Sequence, residues 1–218
     1  LRLMAHLSED ENMISAFMKG EDIHTATASK VYNIDLKDVT KEMRSKAKTA
    51  NFGIIYGISS FGLSQRMRIP RKEAKELIDG YFLSYPGVRQ FMDECIKLAM
   101  EKGYVETMFG RRRLLPDILS RNQVVRGNAE RNAINTPIQG TAADIIKIAM
   151  VNIHRTLKEQ NLKSEMIIQV HDELNFDVLR TELDQVKEIV KTEMESAVKL
   201  KVPLIVDMDT GNNWLEAH

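Results

Sequence analysis

Cysteine is nearly absent: Cys95 stands alone in 218 residues. An internal disulfide is therefore excluded, and the composition fits a reducing, cytoplasmic setting. The thiol falls on an apolar helical face and reads as a small core group. No apolar run is long enough to span a bilayer. The opening Leu1–Ser8 stretch has neither the basic start nor the apolar middle of a signal peptide. It lacks an initiator Met as well, so the chain is expected to begin inside a longer protein. Internal repeats and low-complexity linkers are missing too. What remains, 43% hydrophobic and 28% charged residues, is the makeup of a soluble globular protein, long enough for one large domain or two small ones.

Net charge is another absence, at zero. Taken whole, that balance argues against a nucleic-acid partner, but the charges are unevenly spread. Residues 41–75 hold nine Lys or Arg against two Glu, whereas residues 165–218 hold five against twelve Asp or Glu. A basic segment paired with an acidic one suits polyanion binding together with a divalent metal; two ordinary solvated faces would look the same.

Periodicity predicts helices over Glu9–Lys19, Asp22–Tyr32, Thr40–Tyr56, Arg71–Tyr85 and Gly87–Lys102. Thr40 reads as a cap, Pro70 and Pro86 as helix starts, and Gly57 and Gly103 as stops. Residues 104–118 read as a turn-rich excursion with Gly110 at its tip. A long helical stretch, Arg121–Gln160, is expected to be interrupted at Pro137 and Gly140. The last quarter changes character. Met166–Val170 and Leu174–Val178 form a hairpin signal, with Leu174, Phe176 and Val178 inward. A helix over Thr181–Leu200 and a final strand, Pro203–Asp207, complete the reading: an α+β chain, helical first and mixed afterwards.

Within the basic segment, Arg44, Lys48, Phe52 and Tyr56 recur every fourth residue in RSKAKTANFGIIYG. Four residues turn a helix by about 400°, so the four side chains share one slowly turning face, roughly 18 Å long from Arg44 to Tyr56. That length matches an extended nucleoside triphosphate, with cations for phosphate oxygens and rings for a base or sugar. Gly53, costly mid-helix, hints at a close approach to the backbone. Spacing alone leaves a second reading open, an amphipathic helix whose Phe and Tyr are core and whose cations are merely solvated.

Arg-x-x-x-Lys-x-x-x-Phe-x-x-x-Tyr-Gly resembles the fingers-helix motif B of the family A DNA polymerases. The resemblance implies that Arg44 and Lys48 contact an incoming triphosphate, Phe52 its sugar and base, and Tyr56 the nascent pair. His24, in Asp22-Ile-His-Thr-Ala-Thr-Ala, matches a position that also reaches the phosphates.

Val170-His-Asp-Glu173 lies between the two predicted strands. Two-residue turns favour Asn-Gly or Asp-Gly, so His171-Asp172 is a poor turn and suggests a demand of another kind at the tip. A carboxylate there is accessible and suited to Mg²⁺, though a polar tip needs no such explanation. The tetrad resembles motif C of the same polymerases. By that resemblance Asp172 binds catalytic metal, Glu173 lies beside it and His171 sits against the primer end.

Arg131, Asn135 and Gln139 are again four apart. They are donors suited to the minor groove, where all base pairs offer acceptors in nearly equivalent places, and an exposed polar face would also carry them. The family likeness runs through ERNAINTPIQGTAADIIKIAM, where these positions contact primer-template DNA. Arg111–Arg113 falls in a matching segment, as a structural or backbone-phosphate element.

The likeness extends from Leu1 to the terminal GNNWLEAH. It implies a palm segment at 1–19, an all-helical fingers subdomain at 20–118, and a palm at 119–218 with a small antiparallel sheet and packed helices. The implied activity is DNA-directed DNA polymerisation in replication or repair. Its partners are primer-template DNA and a dNTP, and it uses two Mg²⁺ ions about 3.5–4 Å apart. Leu1-Arg2 look like the end of the family's motif A. The second metal-binding aspartate, the thumb and the rest of the palm are expected upstream in the same polypeptide, and the 218-residue piece alone is expected to be inactive. Asp207 and Asp209 are expected to face solvent. A non-catalytic nucleic-acid-binding module and a purely structural helical domain remain the alternatives from other classes.

Overall fold

The computed structural model describes residues 1–217 and divides into two compact units, 1–141 and 142–218. The first unit begins with α1 (Arg2–Ser8), α2 (Glu11–Met18), α3 (Ile23–Tyr32) and α4 (Lys41–Ile55). It continues through α5 (Ser60–Met67), α6 (Arg71–Ser84) and α7 (Pro86–Lys102) to a short hairpin of β1 (Tyr104–Glu106) and β2 (Arg112–Leu114). Helix α8 (Gln123–Glu159) runs through the boundary, and β3 (Glu165–Val170), β4 (Glu173–Asp177) and α9 (Leu183–Glu195) follow. Both sheets are antiparallel pairs, so the chain is α+β.

Local chemistry explains most of these boundaries. Asp10, Asp22, Thr40 and Ser59 each cap a helix, accepting from the N–H of Met13, Thr25, Met43 and Gly62. Pro86 opens α7 at a position where its missing N–H costs nothing, and Gly103 closes that helix with φ 75°. Helix α5 was not visible in the periodicity: it is short and has only Leu63 and Ser64 buried. In the first unit α3, α4 and α6 pack against one another. Leu63, Ala74 and Leu77 lie at the centre of a cluster that includes Val31, Ile58 and Ile78. A second cluster joins Ala99, Val105, Leu115, Ile118, Ala129 and Ala133 beneath the β1–β2 hairpin. Cys95 is buried, and burial pushes its thiol up to about 12, which agrees with a core role.

Two expectations fail here. Helix α8 is continuous through Pro137 and Gly140. Pro137 removes one backbone donor, but the hairpin braces the helix just beyond it: Arg111 Nη2 donates to the Gly140 carbonyl at 3.0 Å, and Met108 N–H donates to Thr141 Oγ1 at 3.0 Å. Gly140 serves this docking, because a Cβ there would lie 2.5 Å from Thr107 Cγ2. The predicted strand at Pro203–Asp207 is also absent. Leu204, Val206 and Met208 are half-buried and alternate with exposed Ile205 and Asp207, so the two-residue period is real. No strand pairs with them among the described residues, and without a ladder the segment is extended chain only.

In the second unit the hairpin packs Leu174, Phe176 and Val178 onto Ala149, Ile153 and Leu157 of α8 and Val186, Ile189 and Val190 of α9. Its open end is tied down by Glu182, whose carboxylate accepts from the N–H groups of Lys163 and Ser164 and from the Ser164 hydroxyl at 2.6 Å. The Ser164 hydroxyl contact, first among these, holds the Glu182 carboxyl below the usual carboxylate range.

Candidate functional site

Helix α4 buries Ala47, Ala50, Asn51, Gly53, Ile54 and Ile55. Its other face carries Arg44, Lys48, Phe52 and Tyr56, all exposed, with Phe52 at 38% and Tyr56 at 45%. The two aromatic residues are therefore not core, and the purely amphipathic reading fails. The helix ends in a Schellman arrangement: Gly57 has φ 72°, its N–H donates to Ile54 O at 2.8 Å, and the Ile58 N–H donates to Gly53 O at 2.9 Å. This turn also explains Gly53, where a Cβ would lie 2.9 Å from Ile58 Cγ2. The neighbour approaching that glycine is the chain's own isoleucine, not an external group.

The N-terminus of α3 comes up beside this ridge. Asp22 caps α3 and also grips Arg44 bidentately, with Nε–Oδ1 3.0 Å and Nη2–Oδ2 2.7 Å. The guanidinium holds the Asp22 carboxyl well below the usual carboxylate range. Lys48 makes no ion pair among the described residues. The His24 ring lies 5.7 Å from the Phe52 ring, tilted by 50°. Burial, first, and the cations Arg44 and Lys48 hold the imidazole below its ordinary value, while Asp22 pulls the other way. So His24, Arg44, Lys48 and Phe52 come together in three dimensions, with Tyr56 one turn further along.

At the opposite end of α4, the Arg131 side chain of α8 crosses the helix terminus, its Cγ 2.9 Å from where a Gly57 Cβ would be. The Arg131 guanidinium donates to Asn128 Oδ1. Asn135 has a buried Oδ1 with no hydrogen-bond partner among the described residues, and Gln139 is exposed. Each arginine of the β1–β2 hairpin is engaged within the unit. Arg112 pairs with Glu106 at 2.6 Å and stacks on Tyr104, Arg113 reaches Thr136, and Arg111 holds Gly140.

In the second unit the register pairs Val170 with Glu173, leaving His171 and Asp172 as a two-residue connection. His171 takes φ 54°, the left-handed conformation that such a turn demands and that a β-carbon disfavours. The Gln169 side chain stabilises it by donating to the His171 carbonyl at 2.9 Å. His171 and Asp172 are exposed and Glu173 is half-buried. Among the described residues no three His, Cys, Asp or Glu side chains gather into a metal-binding group. Asp207 and Asp209 are exposed, as expected. No helix of the described residues is long and apolar enough to cross a membrane.

Four residues at this site were missed in the sequence: Asp22, Thr27, Asn51 and Tyr85. Only Asn51 left a visible signal, as a lone polar residue on the otherwise apolar face formed by Ala47, Ala50 and Ile54. The amide of Asn51 meets His24 Nδ1 at 2.9 Å, and Thr27 Oγ1 lies 3.1 Å from both Asn51 Oδ1 and the Tyr85 hydroxyl.

The family model described as DNA polymerase family A matches residues 1–216. The chain is 55% identical over 216 residues to the DNA polymerase I of Caldicellulosiruptor bescii, covering 99% of this chain and 25% of that protein. To the DNA polymerase I of Streptococcus pneumoniae serotype 4 it is 53% identical over 218 residues, again 25% of that protein. Among solved structures, the POL domain of Pol1 from M. smegmatis, in complex with DNA primer-template and dNTP, matches with TM-score 0.95 and 42% identity. That match covers 99% of this chain and 38% of the solved one. The chain belongs to DNA polymerase family A. It spans about a quarter of the length of the C. bescii and S. pneumoniae DNA polymerase I proteins.

Proposed function

We propose that this segment supplies the nucleotide-binding helix and one metal-binding carboxylate of a DNA-directed DNA polymerase, a cytoplasmic enzyme that adds deoxynucleotides to a primer 3′-hydroxyl. The observation that carries this reading is the exposed α4 ridge, on which two cations and two rings reach solvent while the opposite face of the helix is buried. Lys48 binds the triphosphate as an uncommitted point charge. Arg44 does so from a geometry already fixed by Asp22, and His24 donates to a phosphate oxygen. Phe52 packs on the sugar and base, and Tyr56 meets the nascent pair. Arg131, Asn135 and Gln139 contact the primer-template from α8, and His171 meets the primer end.

Asp172 holds Mg²⁺, with Glu173 beside it as an adjoining carboxylate. The residues present fit that ion in part. Two adjacent carboxylates at an accessible turn suit a hard cation that draws its other oxygens from phosphate and water, and the remaining protein ligands come from elsewhere in the polypeptide. When bound, a metal pair lowers the pKa of the 3′-hydroxyl and stabilises the departing pyrophosphate.

Titration of labelled dNTP and primer-template, with and without Mg²⁺, tests the reading. A polymerase predicts Mg²⁺-dependent dNTP binding. A non-catalytic nucleic-acid module predicts DNA binding that ignores Mg²⁺ and dNTP, and a structural domain binds neither.

A further inference from the structure

Asn51 is fully buried, an unusual place for an amide on a helix whose other inward residues are small or aliphatic. Its side chain meets a polar partner at each end. The amide nitrogen lies 2.9 Å from His24 Nδ1, and the oxygen lies 3.1 Å from Thr27 Oγ1. Thr27, itself 1% exposed, also reaches the Ile23 carbonyl at 2.7 Å and the hydroxyl of Tyr85 at 3.1 Å. Tyr85 is fully buried, and its phenol, pushed up to about 12 chiefly by burial, keeps its proton. One hydrogen-bonded chain thus runs from the start of α7, through α3, to α4 and back to the imidazole.

As oriented here, the amide turns its NH₂ to the ring and its oxygen to the Thr27 hydroxyl. An amide NH₂ can only donate, so in this orientation His24 Nδ1 accepts and the ring proton of the neutral imidazole sits on Nε2. A proton on Nδ1 would set two donors against each other in a buried site. We infer that Asn51 is a positioning residue that fixes His24 as the Nε2–H tautomer, aiming that donor at the triphosphate. Nothing in the motif reading assigns Asn51 a role, and its own side chain is too buried to touch a nucleotide. The inference rests on the proposed role of His24 for its kinetic consequence, but not for the tautomer itself.

The test uses the complete polypeptide carrying this segment, with Asn51→Ala, Asn51→Asp, His24→Ala and the Asn51→Ala/His24→Ala double variant. Asn51→Ala is expected to raise the dNTP KM about tenfold with a smaller change in kcat, and to add nothing once His24 is gone. Losses that multiply in the double variant, or unchanged kinetics in a folded Asn51→Ala protein, overturn the inference. Imidazole ¹⁵N spectra give a second readout that a packing role would not move. The native His24 proton should lie on Nε2, and in the nearly isosteric Asn51→Asp it should appear on Nδ1, facing a carboxylate that only accepts. A native Nδ1–H overturns the inference regardless of the kinetics. If His24→Ala leaves the dNTP KM unchanged, the triphosphate role of His24 fails, and the spectra alone decide the case for Asn51. Should Asn51→Ala not fold, the native and Asn51→Asp spectra still decide it.

Discussion

Lys48 and Asp172 stand exposed, Lys48 without an ion pair among the described residues. If each compensates charge that develops during phosphoryl transfer, Lys48→Ala and Asp172→Ala should each lower turnover by roughly 10²–10³-fold with little loss of stability. Primer-extension rates near wild type would reject the assigned role. His24 adds a pH dependence whose sign follows from its environment. Its native pKa lies below the ordinary 6.5, so as pH falls the unfolded chain takes up the proton first. Stability is undiminished above about 6.5 and declines as pH drops through 6.5 towards the lower native value. Denaturant unfolding at pH 7.5 and 5.5 should therefore show a steeper acid loss in the native protein than in His24→Gln; equal losses would count against it. At this scale the motif spacing revealed the ridge, whereas Asp22 and Asn51 emerged only when α3 lay beside α4. Their partners are 22 and 27 residues away, beyond any helical period.

The elements owe their ends to local chemistry and their company to packing. Thr40 makes the point for α4: removing its hydroxyl leaves the Met43 N–H without its cap, so Thr40→Ala should cost about 1 kcal/mol in chemical denaturation. Gly140 makes it for α8. An added Cβ would meet Thr107 at 2.5 Å, so Gly140→Ala should cost about 1–3 kcal/mol and loosen the β1–β2 hairpin, seen as faster amide exchange at Met108. Unchanged exchange there would mean that the hairpin does not depend on this docking. Pro137 was legible as a helix breaker because the rule concerns one missing donor. It failed as a prediction because a neighbouring hairpin braces the helix just beyond it, which no local rule contains. The terminal strand failed for the complementary reason: alternation prescribes a strand's faces, but a ladder needs a partner.

Across the whole molecule a net charge of zero conceals a basic helical segment and an acidic C-terminal one. If the basic segment neutralises nucleic-acid phosphate, affinity for primer-template should drop at least about tenfold between about 50 and 200 mM salt, because released counterions drive the binding. A flat salt response would remove DNA as the partner of these cations. Family membership extends over residues 1–216 and so over both units, the first with the α4 ridge and the second with the His171–Asp172 turn.

Helices α2, α3, α4, α6 and α7, the α4 ridge, the 165–177 hairpin and its acidic turn were set by the sequence alone, because each depends on residues within one or two turns or one strand pair of each other. Tertiary structure decided what periodicity cannot express. It left Phe52 and Tyr56 exposed rather than buried, clamped Arg44 with Asp22, carried α8 unbroken through a proline, and hid an asparagine behind His24. Those outcomes depend on which distant backbone comes within hydrogen-bonding reach, and that is a property of the packed molecule.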